Sequence, residues 1–198
     1  MINHLYNSVK TVSKINYSLL LIASLLLCSC SKQSVISKDF NCEPTSFDNL
    51  ENVDDLKNLF SLQLPKNWKI NLYQDEAQSS IFTADTIKQL TETVLLDVTF
   101  VRNKINFDEA FMLQQEQEYL AKNLIRVKSK EITLLDKPAL YMVYKGKKGA
   151  YPFQTCHTFI KVNDQNFIFA KTEIYGDSLV NERLCSAFSL IENLKIHQ

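Results

Sequence analysis

The chain has 198 residues, of which 45% are hydrophobic and 11% aromatic, and it carries 22 basic and 22 acidic side chains. This composition is sufficient for a hydrophobic core and excludes a disordered chain. The balanced charge gives no electrostatic reason to expect nucleic acid as a partner. The glycines, Gly146, Gly149 and Gly176, are too few for a dinucleotide fingerprint or a phosphate-binding P-loop.

An apolar segment close to the N-terminus predicts export from the cytoplasm. The run from Ser18 to Ser31 is short, follows Lys10 and Lys14, and ends in small residues. These features are typical of a secretory signal, whereas a membrane-spanning helix needs about 20 predominantly apolar residues.

The end of this segment, Leu27-Cys28-Ser29-Cys30, resembles the bacterial lipobox, in which a small residue precedes the cysteine that becomes lipidated. Cys30 follows Ser29 and fits the pattern, whereas Cys28 follows the larger Leu27. The resemblance implies a signal peptide over residues 1–29, acyl chains such as palmitate on Cys30, and a lipoprotein of the bacterial cell envelope.

Removal of residues 1–29 would leave 169 residues with 20 basic and 22 acidic side chains, a formal net charge of −2. That length corresponds to one domain. We expect residues 30–40 to be the lipidated cysteine and a polar tether, and residues 41–198 to form the domain. Ser31 stands where some inner-membrane lipoproteins have an aspartate, which favours the outer membrane.

The remaining cysteines are Cys42, Cys156 and Cys185, and an exported chain meets an oxidising compartment. We expect one disulfide and one free thiol, with three pairings open. A bridge that involves Cys185 is favoured, since Cys42–Cys185 would tie the incoming chain to the last predicted helix.

The first half of the domain is predicted to be mainly strands. After a short helical turn at about 53–59, apolar residues alternate over 60–64 and again over 68–72, which indicates a hairpin with one buried face. A short strand over 79–84 and a longer one over 92–101 follow. The continuous apolar stretch of the longer strand favours a central position in a sheet.

A helix is predicted next, starting at a capping box of Asn106 and Glu109. Its apolar stripe is Phe107, Ala110, Leu113, Leu120 and Leu124.

Two hairpins and a helix are predicted for the C-terminal half. Strands are expected over 126–135 and 139–145 and over 153–162 and 167–175. The final amphipathic helix is expected to begin at Asp177 or Ser178 and to bury Leu184, Ala187, Phe188, Ile191 and Leu194.

This order of elements predicts an α+β fold with an antiparallel sheet flanked by helices. The segment FSLQLPKNWKI, Phe60–Ile70, resembles the strand–Pro–Trp–strand entry of the PsbP-like superfamily, to which DcrB-type envelope lipoproteins belong. The resemblance extends in outline over residues 58–195. It implies an α/β/α sandwich and a binding or assembly role without a shared set of catalytic residues.

Candidate chemistry is sparse, and we expect no catalytic residue, no metal site and no cofactor. Cys156 and His157 are adjacent on a predicted strand, so their side chains point to opposite faces and cannot form a nucleophile–base pair. A disulfide or a buried thiol is the ordinary explanation of Cys156. After cleavage only His157 and His197 remain, without metal-ligand spacing.

One charge cluster is a candidate binding loop: Lys145, Lys147 and Lys148, interleaved with Gly146 and Gly149. An exposed loop between strands explains it structurally, and contact with an anionic head group or an acidic partner explains it functionally.

The favoured function is a non-enzymatic envelope lipoprotein that binds another envelope component or supports its assembly. The alternatives are a lipoprotein that holds a small apolar ligand between sheet and helix, and an unrecognised hydrolase. The expected partners are the membrane, through the N-terminal lipid, and an envelope protein. The sequence leaves the oligomeric state open.

Overall fold

Residues 35–197 are described by the computed structural model, and they form ten strands and three helices. In chain order these are α1 (Val35–Phe40), β1 (Leu50–Asp54), β2 (Phe60–Pro65), β3 (Lys69–Gln74), β4 (Gln78–Ala84), β5 (Leu95–Val101), α2 (Glu109–Leu120), β6 (Leu124–Leu134), β7 (Lys137–Lys148), β8 (Tyr151–Lys161), β9 (Phe167–Tyr175), α3 (Val180–Ile191) and β10 (Lys195–Ile196).

The strands form two antiparallel sheets. A seven-stranded sheet has the order β3-β4-β5-β9-β8-β7-β6, and a three-stranded sheet has the order β1-β2-β10. The predicted α+β class, with antiparallel sheet and flanking helices, is therefore confirmed. The long apolar strand β5 lies between β4 and β9 in the larger sheet, which confirms the predicted central position.

The larger sheet separates two hydrophobic clusters, because successive side chains of a strand point to opposite faces. On β7, Tyr141 and Val143 belong to the main core, which also includes β2, α1 and α3. Leu140, Met142 and Tyr144 point the other way and pack beneath α2. The central residues of β7 are buried because both faces are covered.

The predicted hairpin over 60–72 is wrong in its pairing, although both strands exist. β2 pairs with β1 and β10, whereas β3 pairs with β4 in the other sheet. The turn at Pro65, which accepts a hydrogen bond from the Trp68 backbone at 3.0 Å, carries the chain from one sheet to the other.

The region before β2 is also extended rather than helical. The short helical turn predicted at 53–59 overlaps β1, whose Val53 pairs with Leu62 of β2. The loop after β1 is held by the Asp55 carboxylate, which accepts backbone hydrogen bonds from Leu59 at 2.6 Å and Phe60 at 2.8 Å. The Asp55 carboxylate thus accepts from the backbone amides of Leu59 and Phe60, so these amides need no carbonyl partner from a helical turn.

The predicted polar tether ends earlier than Phe40. Residues 35–40 form α1, and Ile36 and Phe40 are buried in the main core. The Asp39 carboxylate accepts hydrogen bonds from Lys130 and from the Tyr141 hydroxyl, each at 2.9 Å. These contacts fold residues 35–40, more than half of the predicted tether, onto the domain, whereas Cys30 and the signal peptide lie outside the described residues.

A disulfide joins Cys42, just after α1, to Cys185 in α3, with 6.4 Å between the Cα atoms. The favoured involvement of Cys185 in the bridge is therefore confirmed, and of the pairings left open the structure has Cys42–Cys185. Cys156 remains a free, buried thiol.

Helix α2 begins later than predicted and presents a different face. Asp108 is its N-cap and accepts a hydrogen bond from the Phe111 amide at 2.9 Å, so Glu109 is the first helical residue and cannot close a capping box. Leu113 and Leu120 of the predicted stripe are 54% and 52% exposed. The helix instead packs through Phe111, Met112 and Tyr119.

The predicted lysine loop is part of a strand. β7 runs to Lys148 and pairs with β8 as far as Tyr151, so the turn consists of Gly149 and Ala150 alone. Gly149 has a φ of +62°, a value that glycine adopts without strain.

The last helix carries the predicted apolar residues but not the predicted cap. Leu179 occupies the N-cap position of α3 without a side-chain cap hydrogen bond, in place of Asp177 or Ser178. Across residues 35–197, no helix combines the length and hydropathy needed to cross a bilayer.

Candidate functional site

A cavity of about 320 Å³ lies between the C-terminal end of α2 and the face of the sheet formed by β7, β8 and β9. Helix α2 and the turn after it contribute Tyr119 and Lys122, and the end of β7 contributes Lys147 and Lys148. The remaining wall comes from β6, β8 and β9: Leu124, Phe153, Thr155, His157, Lys171 and Glu173.

The charges of the lining are strongly unequal, with four lysines and one glutamate. Lys148 and Lys171 share the Glu173 carboxylate at 3.1 and 3.4 Å. Lys122 pairs at 2.7 Å with Glu118, which is not part of the lining. The Lys147 side chain has no ion pair or hydrogen bond within residues 35–197.

Aromatic rings hold two of these lysines in place. The Lys122 ammonium lies 4.4 Å from the Tyr119 ring centre, and that of Lys148 lies 5.0 Å from the Phe153 ring centre. Burial by itself would lower the pKa of Lys148, but contacts with Tyr175 and Glu173 outweigh it and raise the pKa above its ordinary value. Lys148 is therefore fully charged at neutral pH.

His157 is among the lining residues and exposes no surface to solvent. Its ring packs edge-to-face against Tyr119 at 4.5 Å and Phe169 at 5.2 Å between ring centres. Neither ring nitrogen has a hydrogen-bond partner in the described part of the chain. Burial, assisted by the charges of Lys171 and Lys122, lowers the pKa of His157 to about 3, so the imidazole is neutral.

Cys156 cannot cooperate with this histidine. Its thiol belongs to the main core on the opposite face of β8, and it is 1% exposed. Burial raises the pKa of Cys156 to about 12, which leaves it protonated and unreactive at neutral pH.

The lining combines an apolar wall with lysines, of which Lys122, Lys148 and Lys171 each lie close to a carboxylate. The one imidazole present is neutral. Among the described residues, no group of three or more histidine, cysteine, aspartate or glutamate side chains lies close enough together to hold a metal ion.

The three lysines of the predicted binding loop lie at two different places. Lys147 and Lys148 both line the cavity, although the β7 register directs their side chains to opposite faces of the sheet and Lys148 is the one over Phe153. Lys145 lines a separate depression beside Asp39 and Phe40. Lys122 and Lys171 also line the cavity, although they lie outside the predicted lysine cluster. Lys171 lies on a predicted strand, which was the only sequence feature that pointed to it. In the structure it is paired in register with His157.

A larger depression, of about 630 Å³, lies beside β2 and β10 and includes Lys137 and His197. Lys137 and His197 have partners within the protein, whereas the guanidinium of Arg102, which also lines this depression, has none among the described residues. Lys137 donates to the Val162 carbonyl at 3.2 Å, and the His197 ring is within 3.0 Å of the Asn58 side-chain oxygen. The smaller cavity, lined by the fully buried His157 whose ring nitrogens lack partners among the described residues, is the better candidate site.

Comparison with known proteins shows similarity at the level of fold. No protein-family model matches the sequence, and the search of curated proteins finds no match. A crystal structure from Bacteroides thetaiotaomicron has a TM-score of 0.50 at 10% identity, over 76% of this chain and 49% of that one. The chain thus spans about half the length of that protein.

Two further solved structures are similar over most of the domain. The Saccharomyces cerevisiae Ran-binding protein Mog1p has a TM-score of 0.48 at 8% identity, over 75% of this chain and 95% of that one. LpqN of Mycobacterium tuberculosis, described as involved in cell envelope biogenesis, has a TM-score of 0.46 at 13% identity, over 85% of this chain and all of LpqN. Likeness at such low identity concerns fold and carries no activity.

Proposed function

We propose that this chain is a non-enzymatic binding module of the bacterial cell envelope, anchored by lipid on Cys30 and related to the PsbP-like superfamily. The anchor is supported by the lipobox-like Ser29-Cys30 and the apolar segment before it. Four residues separate Cys30 from Val35, where α1 begins, so the domain starts within about 18 Å of the lipid. A module tethered so closely acts at the surface of its own membrane.

The cavity between α2 and the sheet is the single observation that favours ligand binding as the module's role. Small-molecule sites are usually clefts or cavities in which apolar and aromatic side chains meet a few convergent polar groups. The non-enzymatic character is supported by the separation of Cys156 from His157 on opposite faces of β8 and by their unreactive protonation states.

The anchor is tested by fractionation of cells that express the full chain. Cys30→Ser should move the protein out of the membrane fraction or leave an uncleaved precursor, since two or more acyl chains are needed for firm anchoring. Cys28→Ser is the matched control and should remain in the membrane fraction. Retention of the Cys30→Ser protein as a processed membrane species would contradict the proposed anchor.

The ligand role is tested by native mass spectrometry of the detergent-extracted full chain. We expect a bound small molecule on the wild-type protein and its loss from Lys122→Trp, in which the larger side chain obstructs the cavity mouth. Lys66→Trp is the control, because Lys66 lies in the exposed turn between β2 and β3 and does not line the cavity. This variant should retain the molecule. An empty wild-type protein, or equal loss from both variants, would contradict a ligand role for this cavity.

A protein partner is the second candidate, and one observation favours it. β6 is an edge strand of the larger sheet, and its Ile125 and Val127 are 58% and 47% exposed. Exposed apolar side chains on an unpaired edge offer a site for strand addition. Substitution of both residues by lysine should abolish recovery of a specific envelope partner in pull-downs and leave anchoring intact; unchanged recovery would remove this edge from consideration.

A further inference from the structure

Two aliphatic side chains stand exposed at the β6 edge of the larger sheet. Ile125 is 58% exposed and Val127 is 47% exposed. Ile125 pairs in register with Lys145 of β7, and Val127 is the extra residue of a β-bulge between Arg126 and Lys128. One corner of the sheet therefore carries a small apolar surface.

Lysines border this apolar surface on the face of the sheet that carries the main core. Because side chains alternate along a strand, Lys145 and Lys147 lie on that face, whereas Lys148 points to the cavity. The register of β6 adds two more lysines, so four lie on this face: Lys128, Lys130, Lys145 and Lys147. We call these four lysines together with Ile125 and Val127 the edge patch.

Carboxylates offset only part of the charge of the edge patch. The Asp39 carboxylate of α1 pairs with one of the four lysines at 2.9 Å. Lys38 and Glu43, both exposed on the segment around α1, contribute one charge of each sign. Within residues 35–197, the side chains of Lys145 and Lys147 have no ion pair or hydrogen bond. Four lysines against one carboxylate leave three unmatched positive charges.

The edge patch lies beside the segment that leads to the proposed lipid anchor. A depression of about 350 Å³ joins α1 to the patch, and its lining includes Asp39, Phe40, Val127, Lys128 and Lys145. A helix rises about 1.5 Å per residue, so Phe40 lies within about 26 Å of the lipid when Val35 lies within about 18 Å. The patch therefore stays close to the bilayer in every position that the tether allows.

From these observations we infer that the edge patch docks the domain on the anionic lipid surface of the membrane that holds its anchor. The inference rests on the proposed function, since it assumes the lipid on Cys30. Lysines are attracted to an anionic surface, and aliphatic side chains between them enter the boundary between head groups and acyl chains. The tether makes docking an intramolecular step, so a small patch is sufficient.

Edge protection is the purely structural explanation of the lysines, because charged side chains on an edge strand discourage pairing with a second sheet. That explanation does not account for Ile125 and Val127, since exposed aliphatic side chains on an edge favour association. An anionic bilayer surface accounts for both groups, because its head groups attract the lysines and its acyl chains accept the aliphatic side chains.

The test is tryptophan fluorescence of the full lipoprotein, reconstituted into phosphatidylglycerol-containing vesicles whose brominated acyl chains quench tryptophan. Trp68, the single tryptophan, is replaced by phenylalanine, and Ile125→Trp is introduced as the reporter. Val127→Trp serves as a second reporter of the same patch. Leu113→Trp is the matched control, because Leu113 is 54% exposed and lies on α2, on the other face of the sheet. We expect quenching of both reporters and little quenching of the control, since only a docked side chain approaches the acyl chains.

The lysines provide a quantitative check with the Ile125→Trp reporter. Each lysine near an anionic surface changes the docked population by about fivefold, so Lys145→Glu/Lys147→Glu should lower the ratio of docked to undocked protein by about 25-fold or more. Lys66→Glu/Lys69→Glu makes the same charge change with two exposed lysines at the opposite, β3 edge of the sheet. This control should lower the ratio by less than about twofold.

Flotation of the vesicles separates the anchor from the edge patch. A protein that does not float has no lipid anchor, and the proposed anchor and the inference then fail together. A protein that floats but is quenched equally at residues 125 and 113 keeps its anchor and overturns the inference.

Two further results would overturn the inference. Equal loss of quenching in the two lysine variants would show that only the net charge of the protein matters. A blue-shifted emission at residue 125 without quenching would show that a second copy of the protein, and not lipid, covers the edge patch.

Discussion

The Cys42–Cys185 disulfide should contribute several kcal/mol to the stability of the domain. It closes a loop over a sequence separation of 143 residues, nearly the whole described chain. The chain-entropy relation gives about 5 kcal/mol at 25 °C for a loop of that length, and losses of 2–5 kcal/mol are typical for native disulfides. For a domain of this size the expected fall in Tm is on the order of 10 °C.

The measurement is chemical denaturation of the full chain in detergent, with and without reductant. Wild-type protein should lose stability on reduction, and Cys42→Ser/Cys185→Ser should resemble reduced wild type and respond no further to reductant. Cys156→Ser removes the free thiol but keeps the disulfide, so it should still respond as wild type does. Equal midpoints for oxidised and reduced wild-type protein would refute the reasoning.

Three further predictions use the same denaturation assay. Gly146→Ala should cost about 1–3 kcal/mol, because a Cβ there would lie 2.5 Å from the Asn123 carbonyl oxygen; an unchanged midpoint would contradict this. Asp108→Ala should cost about 1 kcal/mol through loss of the N-cap, whereas Asn106→Ala should cost nothing measurable. Burial lowers the pKa of His157 to about 3. The unfolded chain therefore binds its proton first as the pH falls below about 6.5, and stability should fall by up to about 1.4 kcal/mol per pH unit. His157→Phe should remove that dependence, and an identical pH profile in both proteins would refute it.

Periodicity was sufficient to predict most strands and both long helices, because alternation and 3.6-residue spacing are local properties. Pairing is not local. Phe60, Leu62 and Leu64 alternate as a half-buried strand does, but nothing in that alternation says that β2 joins β10 from the far end of the chain. The predicted hairpin was therefore wrong in its partner and right in its strands.

The candidate site was only partly predictable for a related reason. Lys147 and Lys148 are adjacent in sequence and were noticed as a cluster. Lys171 lies on β9, and the register of β7, β8 and β9 brings it to the same cavity as Lys148. Lys122 lies just after α2 and reaches the cavity because that helix packs on the sheet. A charged residue on a strand beside buried aromatics is a weak signal until that register is known.

The two faces of the larger sheet are covered in different ways, which helps to explain where the cavity lies. On one face α3 buries most of its length, and the disulfide ties it to the segment that follows α1. On the other face α2 has no fully buried residue and relies on half-buried contacts such as Tyr119. A helix that removes little apolar surface from water costs less to displace than one that is fully packed. Tyr119 belongs to this less buried helix and packs edge-to-face against His157, so the imidazole is covered by the helix that contributes less to the core.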